Sequence, residues 1–408
     1  MEKVLDKFLR YIKINTQSDS TIEDRVPTTE GQWDLAKMLV SELEKMGAKD
    51  VKLSDHCIVT AVIPSNLEGG KKAPKIGFLA HMDTVDDAPG EGVNPRLVEN
   101  YDGGDIVLSK DGKTVMSPSV FPSLLENVGK TLVVTDGSTL LGADDKAGVS
   151  EIMTMAERLL SDNSLKHGDI KIAFSPDEEG ADGIRMFDVA AFDADYAYTV
   201  DGGKLGEIEY ENFNAAGFKV FAHGREVHPG EAKNKMVNAA LLVSEFIGML
   251  PASQTPATTE GYEGFYHLAQ MGGDCSEAFA EYILRDHDKT IFEKRKAFIK
   301  DTVAYLNAKY GEGTFTLEMK DSYYNMREKV EPHMYIVENA KKAMEEAGVT
   351  PIVVPIRGGT DGAKLSFEGL PCPNLSTGGF NFHGRYEYIP VESMEKMVEV
   401  LLNLAVVK

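Results

Sequence analysis

Several short stretches of this chain place histidine or carboxylate where a fold could gather them around a cation. They are His81 and Asp83, the pair Asp144–Asp145, the acidic run Asp177, Glu178 and Glu179, and Asp201. Histidine and carboxylate without thiolate suit a hydrolytic zinc centre, and cobalt or manganese could occupy the same donors. Three consecutive acids repel one another unless something positive sits among them. Each stretch also has a plainer reading: a structural His–Asp pair, a helix N-cap at Asp144 or Asp145, an exposed acidic turn.

The elements that carry these residues favour the chemical reading. Lys75–Ala80 is an apolar run that turns polar at His81, as a buried strand does when its end opens into a site. His81 and Asp83 are two apart, so an extended chain puts them on one face. The β-prone Leu132–Thr135 and a turn at 136–138 precede Gly142-Ala-Asp-Asp-Lys-Ala-Gly148, after which Val149, Ile152, Met153, Ala156 and Leu159 keep helical spacing. Strand-like Asp169–Phe174 ends before the acidic run, and Tyr196–Val200 ends at Asp201. Successive strands therefore deliver histidine or carboxylate at their C-terminal ends, a repetition not expected of solvated loops.

At 408 residues the chain exceeds the size at which one core stops growing, so two domains are expected. A net charge of −22 argues against a nucleic-acid partner, which needs a basic face. Three scattered cysteines (Cys57, Cys275, Cys372) point to a reduced, cytoplasmic protein and are too few for a zinc ribbon. The amphipathic, charged start is not a signal peptide, and no apolar run approaches membrane-spanning length. Residues 85–131, punctuated by Gly and Pro, read as a long surface excursion. Val128-Gly-Lys-Thr131 lacks the upstream glycine of a phosphate loop, since position 124 is Leu124. Beyond residue 210 the pattern becomes β-α-β-β-α-β, which predicts a ferredoxin-like insert. The expected division is 1–210 with 324–408 for the first domain and 211–323 for the insert. The fold class is thus α/β with a mixed central sheet, plus an inserted α+β domain.

Taken in order, His81-Met-Asp-Thr84, Gly142–Gly148, Pro176-Asp-Glu-Glu-Gly180, Asp201–Gly202, Arg357-Gly-Gly-Thr-Asp361 and His383–Gly384 resemble the peptidase T family of tripeptide aminopeptidases. That family lies within the superfamily of di-zinc exopeptidases. The metal motifs alone would equally fit a dipeptidase, carboxypeptidase or N-deacylase of the superfamily. Asn94–Pro95, Val98–Tyr101, Gly104–Asp105, Met116–Pro118 and Phe121–Pro122 carry the resemblance to the peptidase T branch.

The resemblance implies a catalytic domain of zinc-exopeptidase type with a lid or dimerisation insert, and two divalent metal ions, zinc first. His81, Asp144 and Asp201 would hold one ion and Asp144, Glu179 and His383 the other, with Asp144 bridging. Glu178 would be the general base for a metal-bridged hydroxide, and Asp83 would steer the His81 imidazole. A cis peptide between Asp144 and Asp145 is implied as well. His228, on the insert, matches the histidine that stabilises the oxyanion, in related enzymes from a second subunit, which makes a homodimer an expected partner. Arg357 would pair a peptide carboxylate, with a structural ion pair as its alternative, and Asn238 would touch substrate or pack at a helix start.

Overall fold

The computed structural model describes every residue of the chain except Glu23, Gly70, Ala181 and Lys408. It divides into two compact units, one of Met1–Tyr210, Glu328–Val354 and Thr360–Lys408, the other of Glu211–Arg327 with Pro355–Gly359. The second boundary falls later than the sequence suggests, and 355–359 goes with the smaller unit. Asn212 and Ile356 form a parallel bridge there, and the Ile356 N–H donates to the Glu211 carbonyl at 2.8 Å. A pairing between segments so distant in sequence leaves no local signal.

The larger unit is built on an eight-stranded mixed sheet. Across it run Lys49–Leu53, Val59–Ile63, Ile170–Ser175, Ile76–His81, Tyr196–Gly202, Asn374–Ser376, Glu207–Glu209 and Ile352–Val353. The four central strands from Ile170–Ser175 to Asn374–Ser376 are mutually parallel, so their C-terminal ends share one edge. All six residues of Ile76–His81 are buried, as an unalternating apolar strand requires when both sheet faces are covered.

Helix Ala143–Ser161 is buried through most of its length and lies against that strand. It approaches so closely that a Cβ on Gly148 would stand 1.9 Å from the Val200 carbonyl oxygen. Helix Gly31–Met46 stops at Gly47, whose φ of 95° is the left-handed turn glycine permits. Among the described residues no helix is long and apolar enough to cross a membrane.

Residues 85–131 are more than a surface excursion. Arg96–Val98, Leu132–Val134 and Tyr388–Pro390 form a three-stranded sheet. Tyr101, Ile106, Leu108, Met116 and Leu124 pack with Leu132, Val134 and Tyr388 into a satellite core. These apolar residues are spaced irregularly between turns, so neither helical nor strand periodicity announces them.

The smaller unit follows the expected order: Asn214–His223, Ala239–Met249, Phe265–Gly273, Glu277–Asp286, Lys289–Tyr310, Phe315–Tyr323. Its antiparallel sheet runs Phe265–Gly273, Glu277–Asp286, Asn214–His223, Phe315–Tyr323. Alternate residues Phe218, Val220, Ala278, Ala280, Tyr282 and Leu284 face one core with Phe246, Phe292, Ile299 and Leu306 from the two helices. Period-two burial in the strands and one apolar stripe per helix produce that layer.

Candidate metal centre

The site lies at the shared C-terminal edge of the parallel strands. His81 is the last residue of its strand, and its Nε2 stands 2.9 Å from Asp144 Oδ1 and 3.3 Å from Asp201 Oδ1. Asp201 sits near the end of the neighbouring strand Tyr196–Gly202. Asp144 arrives from the front of helix Ala143–Ser161, where residues 144 and 145 depart from helical torsions and the bond between them is cis. Its second oxygen lies 3.2 Å from His383 Nε2, which is also 2.9 Å from Glu179 Oε1. Asp144 thus gives one carboxylate oxygen to each histidine.

The described residues contain two groups able to hold a metal ion, His81 with Asp144 and Asp201, and Asp144 with Glu179 and His383. Within each, the donor atoms lie within 4.8 Å of one another. Burial raises the Glu179 carboxyl to about 7, helped by the charge of Asp144, and raises Asp201 to about 6. Asp144 resists the same burial because both histidines hydrogen-bond to it, which holds it well below the usual carboxylate range. Those bonds, from Asp144 and then Glu179, lift His383 to about 11. Carboxylates crowded and buried in this way disfavour their ionised forms, so the cluster calls for positive charge. Two divalent cations fit that demand and the donor set.

Glu178 belongs to neither group. Burial, with the charges of Asp201 and Asp361, holds its carboxyl well above the ordinary range. Its backbone N–H donates to Asp83 Oδ1 at 2.9 Å, and that of Glu179 to Asp83 Oδ2 at 3.0 Å. Asp83 is fully buried and has an oxygen 3.2 Å from His81 Nδ1, near but not aligned as a hydrogen bond. It therefore braces the 178–179 turn at least as firmly as it faces the imidazole.

The third acid of that run points elsewhere. Asp177 accepts from the Thr28 N–H and hydroxyl and from Gln32 Nε2. Asp145 accepts from the Gly148 N–H at 3.2 Å, three residues on, as an N-cap does, and from the His81 N–H at 3.1 Å. Of the two adjacent aspartates, one caps the helix and the other faces the histidines.

The sequence reading omits several supporting residues. Ser175 donates to Asp361 Oδ2 at 2.8 Å. Asn374 accepts from the Asp201 N–H at 3.2 Å while donating to Glu209 at 2.6 Å. Glu387 takes the N–H groups of Leu141, Gly142 and Asp144 at 2.7, 2.8 and 3.0 Å. Asp361 at least sits in a singled-out motif; Glu387 and Glu209 look like any acid of an acidic chain.

His228, Asn238 and Arg357 belong to the smaller unit. His228 is exposed and its Nδ1 accepts from the Gly230 N–H. Asn238 caps helix Ala239–Met249 by accepting from the Leu241 N–H at 3.3 Å. Arg357 donates to the carbonyls of Gly261, Glu263 and Thr259 and to the Thr259 hydroxyl, with its guanidinium over Phe213. That is the geometry of a loop brace.

Residues 210–314 match a family model described as a peptidase dimerisation domain. Over 404 residues the chain is 55% identical to peptidase T of Alkaliphilus oremlandii, covering 99% of this chain and 98% of that protein. An aminopeptidase from Bacillus cereus shares the fold with a TM-score of 0.77 at 24% identity, over 99% of this chain and 97% of that one. A tripeptidase from Staphylococcus aureus also gives 0.77, at 19% identity and the same coverage. The mixed sheet and the match to a dimerisation domain give the chain the fold of the M20 family of peptidases. Within that class the chain belongs to the peptidase T family. It is a peptidase, a hydrolase of peptide bonds.

Proposed function

We propose that the protein releases the N-terminal residue from tripeptides, with His81, Asp144 and Asp201 holding one divalent ion and Asp144, Glu179 and His383 a second. The observation that carries this reading is the division of Asp144 between two histidine–carboxylate groups, with the non-ligand Glu178 beside them. When bound, the ions supply a Lewis acid for the scissile carbonyl and make water nucleophilic near neutral pH. Glu178 takes the water proton and passes it to the leaving amine, help worth about 10²–10⁴-fold. Asp83 keeps Glu178 and Glu179 in register through their N–H groups. Tripeptide as substrate rests on family membership and on the S. aureus tripeptidase sharing the fold.

Zinc is the proposed metal, with cobalt or manganese as alternatives for the same donors. The match at 210–314 supports a homodimer through the smaller unit, in which His228 would supply an oxyanion donor to its partner. Cys57, Cys275 and Cys372 are all free, which suits the cytoplasm. The test is Glu178→Ala, assayed on a tripeptide, a dipeptide and an N-acyl amino acid beside the wild type. Expected are unchanged metal content and turnover reduced at least 100-fold on the tripeptide, the preferred wild-type substrate. Activity within a few fold of wild type would place the base elsewhere, and wild-type preference for the acyl compound would overturn the substrate assignment.

A further inference from the structure

Glu387 is an acid that the proposed reaction does not use, yet it is only 2% exposed and its carboxylate accepts three hydrogen bonds from one stretch of main chain. Its Oε2 accepts from both Leu141 and Gly142, and its Oε1 from Asp144. These N–H groups lie just where helix Ala143–Ser161 has not begun regularly: Gly142 has a φ of 80°, and 144 and 145 are not helical. Without an acceptor they would be orphaned in the interior, at a cost no buried donor escapes cheaply.

The carboxylate reaches them from a clamped loop. Phe380 and Tyr388 exchange backbone hydrogen bonds at 2.9 and 3.1 Å, and the Glu387 N–H donates to the Gly384 carbonyl at 3.2 Å. Asn381 Nδ2 donates to the Tyr386 carbonyl at 3.1 Å. His383 stands inside this loop, four residues before Glu387. One rigid turn therefore presents an imidazole to the Asp144 side chain and a carboxylate to the Asp144 main chain. Lys146 is a buried cation acted on by the charge of Glu387, and its Nζ is tied to the Ile14 carbonyl at 3.0 Å.

We propose that Glu387 is a positioning residue for the metal pair. By gripping the 141–144 main chain it fixes the direction of the Asp144 carboxylate, so that one oxygen serves each group. The inference rests on the two-ion reading above and adds to it the residue that makes the bridge rigid. Glutamine at 387 keeps the shape but offers one acceptor oxygen and one NH₂. It can satisfy Leu141 and Gly142, or Asp144, not all three.

The experiment is Co²⁺ titration of chelator-stripped wild type, E387Q and E387D, followed by visible absorption and by metal analysis after desalting. Melting curves of the metal-free proteins run alongside. The wild type is expected to take up two ions, and E387Q to bind the pair about 10–100-fold more weakly, the range typical for groups that orient metal ligands. E387D, which keeps the charge but retracts it, should fall between, and kcat should drop more than KM changes. Two ions bound by folded E387Q with wild-type affinity would overturn the proposal while leaving the two-ion reading intact. Failure of the wild type to take up two ions would instead sink that reading. If E387Q does not fold, E387D decides: wild-type affinity there overturns the inference, and weakened binding with an unchanged metal-free melt supports it.

Discussion

Replacing Glu151 with glutamine should stabilise the protein by an amount that grows with pH. Glu151 lies inside helix Ala143–Ser161, is fully buried, and among the described residues neither carboxyl oxygen has a hydrogen-bond partner. Burial alone holds its carboxyl well above the ordinary value of 4.5. A lone buried carboxylate is too costly to ionise, so the folded protein keeps the proton that the unfolded chain releases. The folded state then binds more protons than the unfolded state, and stability falls as pH rises through and beyond 4.5. The slope is about 1.4 kcal/mol per pH unit until the folded group itself ionises. Glutamine has the same shape and no proton to lose. Above the unfolded value the advantage of E151Q should therefore grow with pH, at up to that slope, until the folded carboxyl ionises. Below the unfolded value the two proteins should be nearly equal. The assay is urea unfolding of both proteins at several pH values, with chelator present so that metal occupancy stays constant. A stability difference that does not change with pH would refute the reasoning, because it would mean Glu151 carries the same charge folded and unfolded.

Three further outcomes follow from contacts in the structure. Gly148→Ala drives a Cβ into the Val200 carbonyl oxygen and so pushes the helix bearing Asp144 away from the strand bearing Asp201. Overpacking of this kind costs about 1–3 kcal/mol or more, and a melting temperature within a degree of wild type would refute the close approach. Asp83→Asn leaves one of two buried N–H donors facing an NH₂ group and should destabilise by about 1–3 kcal/mol. It should also lower metal affinity about 10–100-fold by calorimetry; unchanged affinity would mean that the 178–179 turn holds itself. Arg357→Lys cannot reach four oxygens of the 259–263 loop, so faster proteolysis there with unchanged KM is expected. A large rise in KM without faster cleavage would show that the guanidinium serves substrate instead.

Much of the fold was readable because its determinants are local. Unalternating apolar runs marked the buried parallel strands, as at Ile76–His81, and period-two alternation marked the insert. The satellite core within 85–131 was not readable, since Tyr101, Met116 and Leu124 meet only when Tyr388 reaches them from the far end of the chain. The same holds for the site. The residue types that offer ligands stood out at strand ends, whereas Glu387 and Glu209 are chemically identical to dozens of surface acids. Only burial and donor geometry separate them.

By itself the sequence determined which side chains could meet a cation and which strands would carry them, because residue chemistry and short-range periodicity are written in adjacent positions. Residue type leaves Asp144 and Asp145 equivalent, and only the family resemblance singles out Asp144; the tertiary structure turns Asp144 to the histidines, Asp145 to the Gly148 N–H and Asp177 toward Thr28 and Gln32. It also decided that Arg357 grips the 259–263 loop. Neighbouring acids are equivalent until the chain closes. What distinguishes them afterwards is which unpaired N–H, imidazole or hydroxyl each finds in an interior where leaving one without a partner is costly.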